Sequence, residues 1–288
     1  MTYQDILVYL DDHRGAETRL NLAISLASQS KAHIVGLYGF ALPEAPRPLA
    51  VAGGYVDDNA LMAAFVRDRD AAFDRERQVE ARFRAATGQA GLPSDWETCQ
   101  KKAGDLAALV TERARYADLA VLGQADAAHP FFDALARLPE TVMLGSGRPV
   151  LIVPYAGRID RVGTKVFVAW SGAREAARAV ADAIPMLRGA SAVTIAAIGS
   201  LPDAEPNEGR LTADLARHLA HHGVQARTEH FTVPDIETGE LILSRAADLD
   251  CDLIVMGGYG HSRTRELILG GVTRTILRYM TMPVLMSH

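Results

Sequence analysis

The chain contains itself twice, and that repeat limits it to folds built from two copies of one unit. Asp118-Leu-Ala-Val-Leu-Gly123 aligns with Asp252-Leu-Ile-Val-Met-Gly257 at an offset of 134, and Arg148-Pro-Val-Leu151 with Met282-Pro-Val-Leu285 at the same offset. Upstream, Ile6-Leu-Val-Tyr-Leu10 aligns with Val166-Phe-Val-Ala-Trp170, and Ala32-His-Ile-Val35 with Ala192-Val-Thr-Ile195, both at an offset of 160. The change in offset gives the first copy about 26 extra residues. They are expected within 40–70, where Pro43, Pro46, Pro48, Gly53 and Gly54 read as loop or turn. Two domains follow, 1–157 and 163–288, joined by the polar stretch from Tyr155 to Thr164.

Each copy alternates short β-branched runs with helical stretches, the pattern of a parallel sheet covered by helices on both faces. Strands are expected near 5–10, 33–39, 95–99, 118–122 and 149–153, and again near 165–170, 192–198, 226–232, 252–256 and 283–287. Between them, Ala177, Val180, Ala181, Ile184 and Leu187 recur at helical spacing over Arg174 to Leu187. The predicted fold is α/β: two tandem doubly wound, Rossmann-like domains, each with a five-stranded parallel sheet.

Composition removes several classes of function. With 49% hydrophobic and 23% charged residues the chain can bury a core. A net charge of −5 offers no positive field for a phosphate backbone, so nucleic acid is not an expected partner. No apolar run approaches the roughly 20 residues of a membrane span, and Asp5, Asp11 and Asp12 occupy the place of a signal peptide's positive region. A cytoplasmic location is expected, away from membranes. Cys99 and Cys251 lie far apart and read as two reduced thiols. His218, His221 and His222 read as a solvated helix end rather than a metal site, for want of a third ligand. Ser146 lacks the full nucleophile-elbow pattern.

The residues that carry chemistry follow the strand Leu253-Ile-Val-Met256. Gly257, Gly258, Tyr259 and Gly260 come first, then nine residues, then Gly270, Gly271, Val272 and Thr273 opening a helical run towards Tyr279. A glycine-rich loop brings backbone N–H groups close to a polyanion, and a helix start adds unpaired donors and a partial positive charge. His261, Arg263, Arg265 and Arg274 add charge nearby. The plainer alternative is a glycine turn that permits tight packing. No complete G-x-G-x-x-G and no G-x-x-x-x-G-K-[ST] occurs, so neither a dinucleotide fold nor P-loop phosphoryl transfer is supported. In the first copy Asp126 stands opposite Gly260, Ala136 opposite Gly270 and Pro139 opposite Thr273, so that copy is not expected to hold a phosphate chain.

The spacing Gly257-x-x-Gly260-x9-Gly270, with the flanking strands, resembles the ATP-binding signature of the universal stress protein family. The resemblance implies that Gly257, Gly260 and Gly270 shape a phosphate loop, with Gly271, Val272 and Thr273 at the helix start beside the phosphates or ribose. Met256 would lie near the base, Ile198 would pack on adenine, and Ala169, Trp170 and Ser171 would line the base and its edge. The chain departs from the family at Gly271, where Ser or Thr is usual, and at Ser171, where Asp is usual; Asp11 keeps that Asp in the first copy. ATP or a related adenine nucleotide, accompanied by Mg2+, is the ligand implied. The implied role is a nucleotide-responsive regulator of the stress response with unspecified protein partners, showing at most slow ATP hydrolysis. The competing role is a nucleotide-independent interaction module. Family members dimerise through their last strands, so 149–153 and 283–287 are expected to join the copies as an internal pseudo-dimer, and a homodimer is open to the whole chain.

Overall fold

A computed structural model describes residues 2–13, 15–41, 58–101, 106–129, 132–157, 159, 161–198, 208–231, 236–258 and 270–288. The first half runs β1 (Asp5–Leu10), α1 (Ala16–Ser30), β2 (His33–Ala41), α2 (Asp58–Gln89), β3 (Ser94–Lys101), α3 (Leu106–Ala114), β4 (Leu119–Gly123), α4 (Phe132–Ala136), α5 (Leu138–Ser146) and β5 (Val150–Val153). The second runs β6 (Lys165–Trp170), α6 (Arg174–Leu187), β7 (Ala192–Ile198), α7 (Glu208–His221), β8 (Arg227–Phe231), α8 (Thr238–Asp248), β9 (Leu253–Gly257), α9 (Gly271–Tyr279) and β10 (Val284–Ser287).

The strands form one ten-stranded sheet in the order β3-β2-β1-β4-β5-β10-β9-β6-β7-β8. Each half is parallel within itself, and the halves meet where β5 and β10 pair antiparallel, Leu151 opposite Leu285. An antiparallel join between equivalent strands relates the halves by a pseudo-twofold, the pairing expected of 149–153 and 283–287. Both joining strands are wholly buried, as their unbroken apolar runs require of strands covered on both faces.

Pleating sends alternate side chains to opposite layers. Ile6, Val8, Leu10, Val166 and Val168 enter one core, and Leu7, Tyr9 and Phe167 the other. Equivalent carboxylates hold the strand entries: Asp118 accepts the Gln4 and Asp5 N–H groups, and Asp252 those of Gly163, Thr164 and Lys165.

Two expectations change. The 40–70 insertion is not all loop, because residues 58–70 form the start of α2, a helix of 32 residues against 14 in its counterpart α7; residues 42–57 lie outside the described residues. In α6 the buried face is Ala176, Ala179, Val180, Ala183, Ile184 and Leu187, whereas Ala177 and Ala181 are exposed. Alanine occurs on both faces of that helix, so spacing alone does not select between them. Among the described residues no helix is long and apolar enough to cross a membrane.

Candidate functional site

Parallel strands end and helices begin along one edge of each half-sheet, where backbone donors and crevices collect. In the second half the edge is built from the ends of β6 and β9 and the starts of α6 and α9. Ala169 pairs in register with Met256, and both join Val272, Phe231 and Ile242 in one apolar cluster. Of the expected residues, Ala169 and Met256 therefore stand side by side on adjacent strands, and Val272 shares the apolar layer on their face of the sheet. Trp170, one residue further along β6, turns to the opposite layer and packs half-buried against the other cluster, its indole N–H buried without a hydrogen-bond partner. Ser171 is exposed in the following turn, its Oγ accepting the Ala173 N–H at 3.4 Å. Ile198 ends β7 opposite Phe231. Gly260 lies outside the described residues.

The glycines of the motif separate into two kinds. A Cβ on Gly257 would stand 2.5 Å from the Ala176 nitrogen and 2.6 Å from the Glu175 carbonyl carbon, and a Cβ on Gly258 would run into Met143 of the first half. These two are packing glycines. Among the described residues, nothing lies within 4 Å of a Cβ added at Gly270 or Gly271. Gly270 is the N-cap of α9, makes no side-chain cap bond, and no acidic residue occupies the first turn. Among the described residues nothing blocks the start of the helix, where Arg274 is exposed on the first turn and Thr273 is buried beneath it.

Glu175, which spacing does not single out, is buried beside Gly257 at the start of α6, its carboxylate accepting the Arg174 Nε–H at 2.6 Å. Burial pushes its carboxyl up. The Arg174 hydrogen bond, a backbone N–H and the charges of Arg174 and His288 outweigh burial and hold it below the usual carboxylate range. An ionised carboxylate there leaves the start of α9 as the anion-accepting part of the edge.

The equivalent edge of the first half is filled. Tyr9 stands where the second half has Ala169 and is 2% exposed, and Arg19 stands where it has Ala179. Arg19 lies directly against Gly123, with its Nη2 2.9 Å from Asp11 Oδ2. Asp126 accepts the Ala128 N–H and lies 3.6 Å from His13 Nε2, and the His13 and His129 rings stand 4.9 Å apart. The cavity left among them is about 20 Å³, room for about one water. Sequence spacing missed this cluster, although Tyr9 against Ala169 and Arg19 against Ala179 in the two aligned copies signal the filling.

The halves also touch through equivalent positions. Gln124 donates its side-chain amide to the Leu277 and Arg278 carbonyls at 3.0 and 3.1 Å, while its counterpart Gly258 meets Met143, the counterpart of Leu277. Elsewhere Cys251 is a half-buried free thiol that burial pushes up to about 11. The His218 and His222 rings lie 4.8 Å apart, and among the described residues no group of three or more His, Cys, Asp or Glu is arranged to hold a metal ion.

Residues 164–288 match the model of the universal stress protein family. The fold resembles that of a universal stress protein from Archaeoglobus fulgidus, with a TM-score of 0.69, 16% identity, and coverage of 98% of this chain and 97% of that one. It also resembles a functionally unknown protein from Pseudomonas aeruginosa, with a TM-score of 0.58, 17% identity, and coverage of 99% and 92%. At such identities the likeness is one of fold. No curated protein matches the sequence.

Proposed function

The chain carries a domain of the universal stress protein family at residues 164–288, and on that premise we propose that this half binds ATP or a related adenine nucleotide and reports its presence as a regulator. The observation that carries the reading is the start of α9, which has no side-chain cap bond and no acidic residue in its first turn, and where no described residue obstructs Gly270 or Gly271. Backbone N–H groups there are oriented to receive phosphate oxygens. Ala169 is small where the first half has Tyr9, which favours a base at the end of β6 beside Met256. Arg274 supplies positive charge at the same turn, and a bound Mg2+ would offset phosphate charge that Glu175 opposes.

Fit between helix and phosphate can be separated from fold with one substitution. Asp is a favourable N-cap residue, so Gly270→Asp leaves α9 intact while placing a negative charge where the phosphates sit. Equilibrium dialysis with radiolabelled ATP is expected to show saturable binding by the unaltered chain and at least tenfold weaker binding by Gly270→Asp. Equal retention by the two proteins would defeat the proposal.

A further inference from the structure

The polar cluster of the first half plays no part in nucleotide binding, and its placement gives it another use. We propose that His13 and His129 form a proton-operated switch in the first half, connected through Gln124 to helix α9 of the second.

His129 is 9% exposed; α4 and α5 line its cavity with Leu135 and Leu138, and the other described elements around it bring charged or titratable groups. Tyr9 comes from β1; Asp11, Asp12 and His13 from the loop after β1; Arg19 from α1; Asp126 from its own loop; and Tyr155 from the chain after β5. Asp11 is engaged by Arg19, and Asp12 by Arg75 of α2. Asp126 accepts the Ala128 N–H and lies 3.6 Å from His13 Nε2, so a proton on His129 is accommodated beside the His13 ring, 4.9 Å away, around a cavity of about 20 Å³ with room for about one water. Burial, and then the neighbouring His13, hold His129 below its ordinary value of 6.5, with Asp11, Asp12 and Asp126 opposing them. The folded cluster favours the neutral ring, and acid drives the loop after β4 outward towards water.

That loop also carries Gln124. Its amide satisfies carbonyls at the end of α9 that the helix leaves unpaired, and its Oε1 accepts the Tyr155 N–H at 3.4 Å. Helix α9 has nine residues, so its clamped end and its open start are only about 12 Å apart. Displacing Gln124 releases the last turn, and a short helix transmits that release to Gly271.

Amide and imidazole NMR signals followed from pH 8 to pH 5 test the switch without any nucleotide, so its failure is distinct from failure of the binding proposal. The amides of Ile276 to Met280 are expected to shift with the midpoint of the His129 ring, below 6.5. In Gln124→Leu the ring should still titrate while these amides stay flat; in His129→Gln the amide titration should vanish. Flat α9 amides in the unaltered chain, or an α9 titration that survives in either variant, overturn the proposal. If His129→Gln does not fold, Gln124→Leu decides alone.

Discussion

Gly257 lies so close to Ala176 that a Cβ added to it would stand 2.5 Å from the Ala176 backbone nitrogen. The neighbour is helix backbone, which cannot swing aside as a side chain can. Gly270, in the same motif, has no described residue within 4 Å of an added Cβ. Gly257→Ala is therefore expected to destabilise the chain by about 1–3 kcal/mol, the usual cost of overpacking, whereas Gly270→Ala costs less, only the weaker N-cap preference of Ala compared with Gly. Urea denaturation of the two variants checks this, and equal midpoints would refute the division of the motif into packing and open glycines.

Tyr9 and Ala169 occupy equivalent points of the two half-sheets, a buried aromatic ring at one strand end and a single methyl group at the other. Ala169→Tyr is expected to remove nucleotide affinity by at least tenfold while the fold, which accommodates Tyr at the equivalent site, remains cooperative. Circular dichroism melting with a parallel ATP titration distinguishes loss of binding from loss of structure.

Acid should weaken the first half before it weakens the whole. Because folding lowers the affinity of His129 for a proton, the unfolded chain takes up more protons as the pH falls through 6.5, and stability falls with it until the folded-state value is passed. Thermal unfolding between pH 8 and pH 5 is expected to show this decline, and His129→Gln to flatten it. A decline of the same size in the variant would assign the acid sensitivity to other groups.

The positions of the central strands can be read from the sequence because buried parallel strands are continuous apolar runs, and duplication displays each twice, Ile6 to Leu10 beside Val166 to Trp170. The ends of α6 are equally plain, and Arg174 and Arg178 mark its exposed face, but Ala177 and Ala181 at the border of that face are the same residue type as the buried Ala176, Ala179 and Ala183 and are not told from them by composition. The helical 58–70 stretch is obscured by the prolines and glycines just before it. At the site, motif spacing identifies Ala169, Met256 and Val272, which the fold gathers into one cluster. It does not reveal that Trp170 points to the opposite layer, because that depends on pleat parity at the very end of a strand, nor that Gly257 is needed for the approach of α6, because that approach comes from another part of the chain.

The central claim is an asymmetry: of two halves with one fold, the second holds a nucleotide and the first, closed by Tyr9, Arg19 and the histidine cluster, does not. Isothermal titration of the full chain with ATP and Mg2+ measures this as a stoichiometry. One nucleotide per chain, abolished by Gly270→Asp, is the predicted result; two per chain, or one that persists in Gly270→Asp, would contradict it.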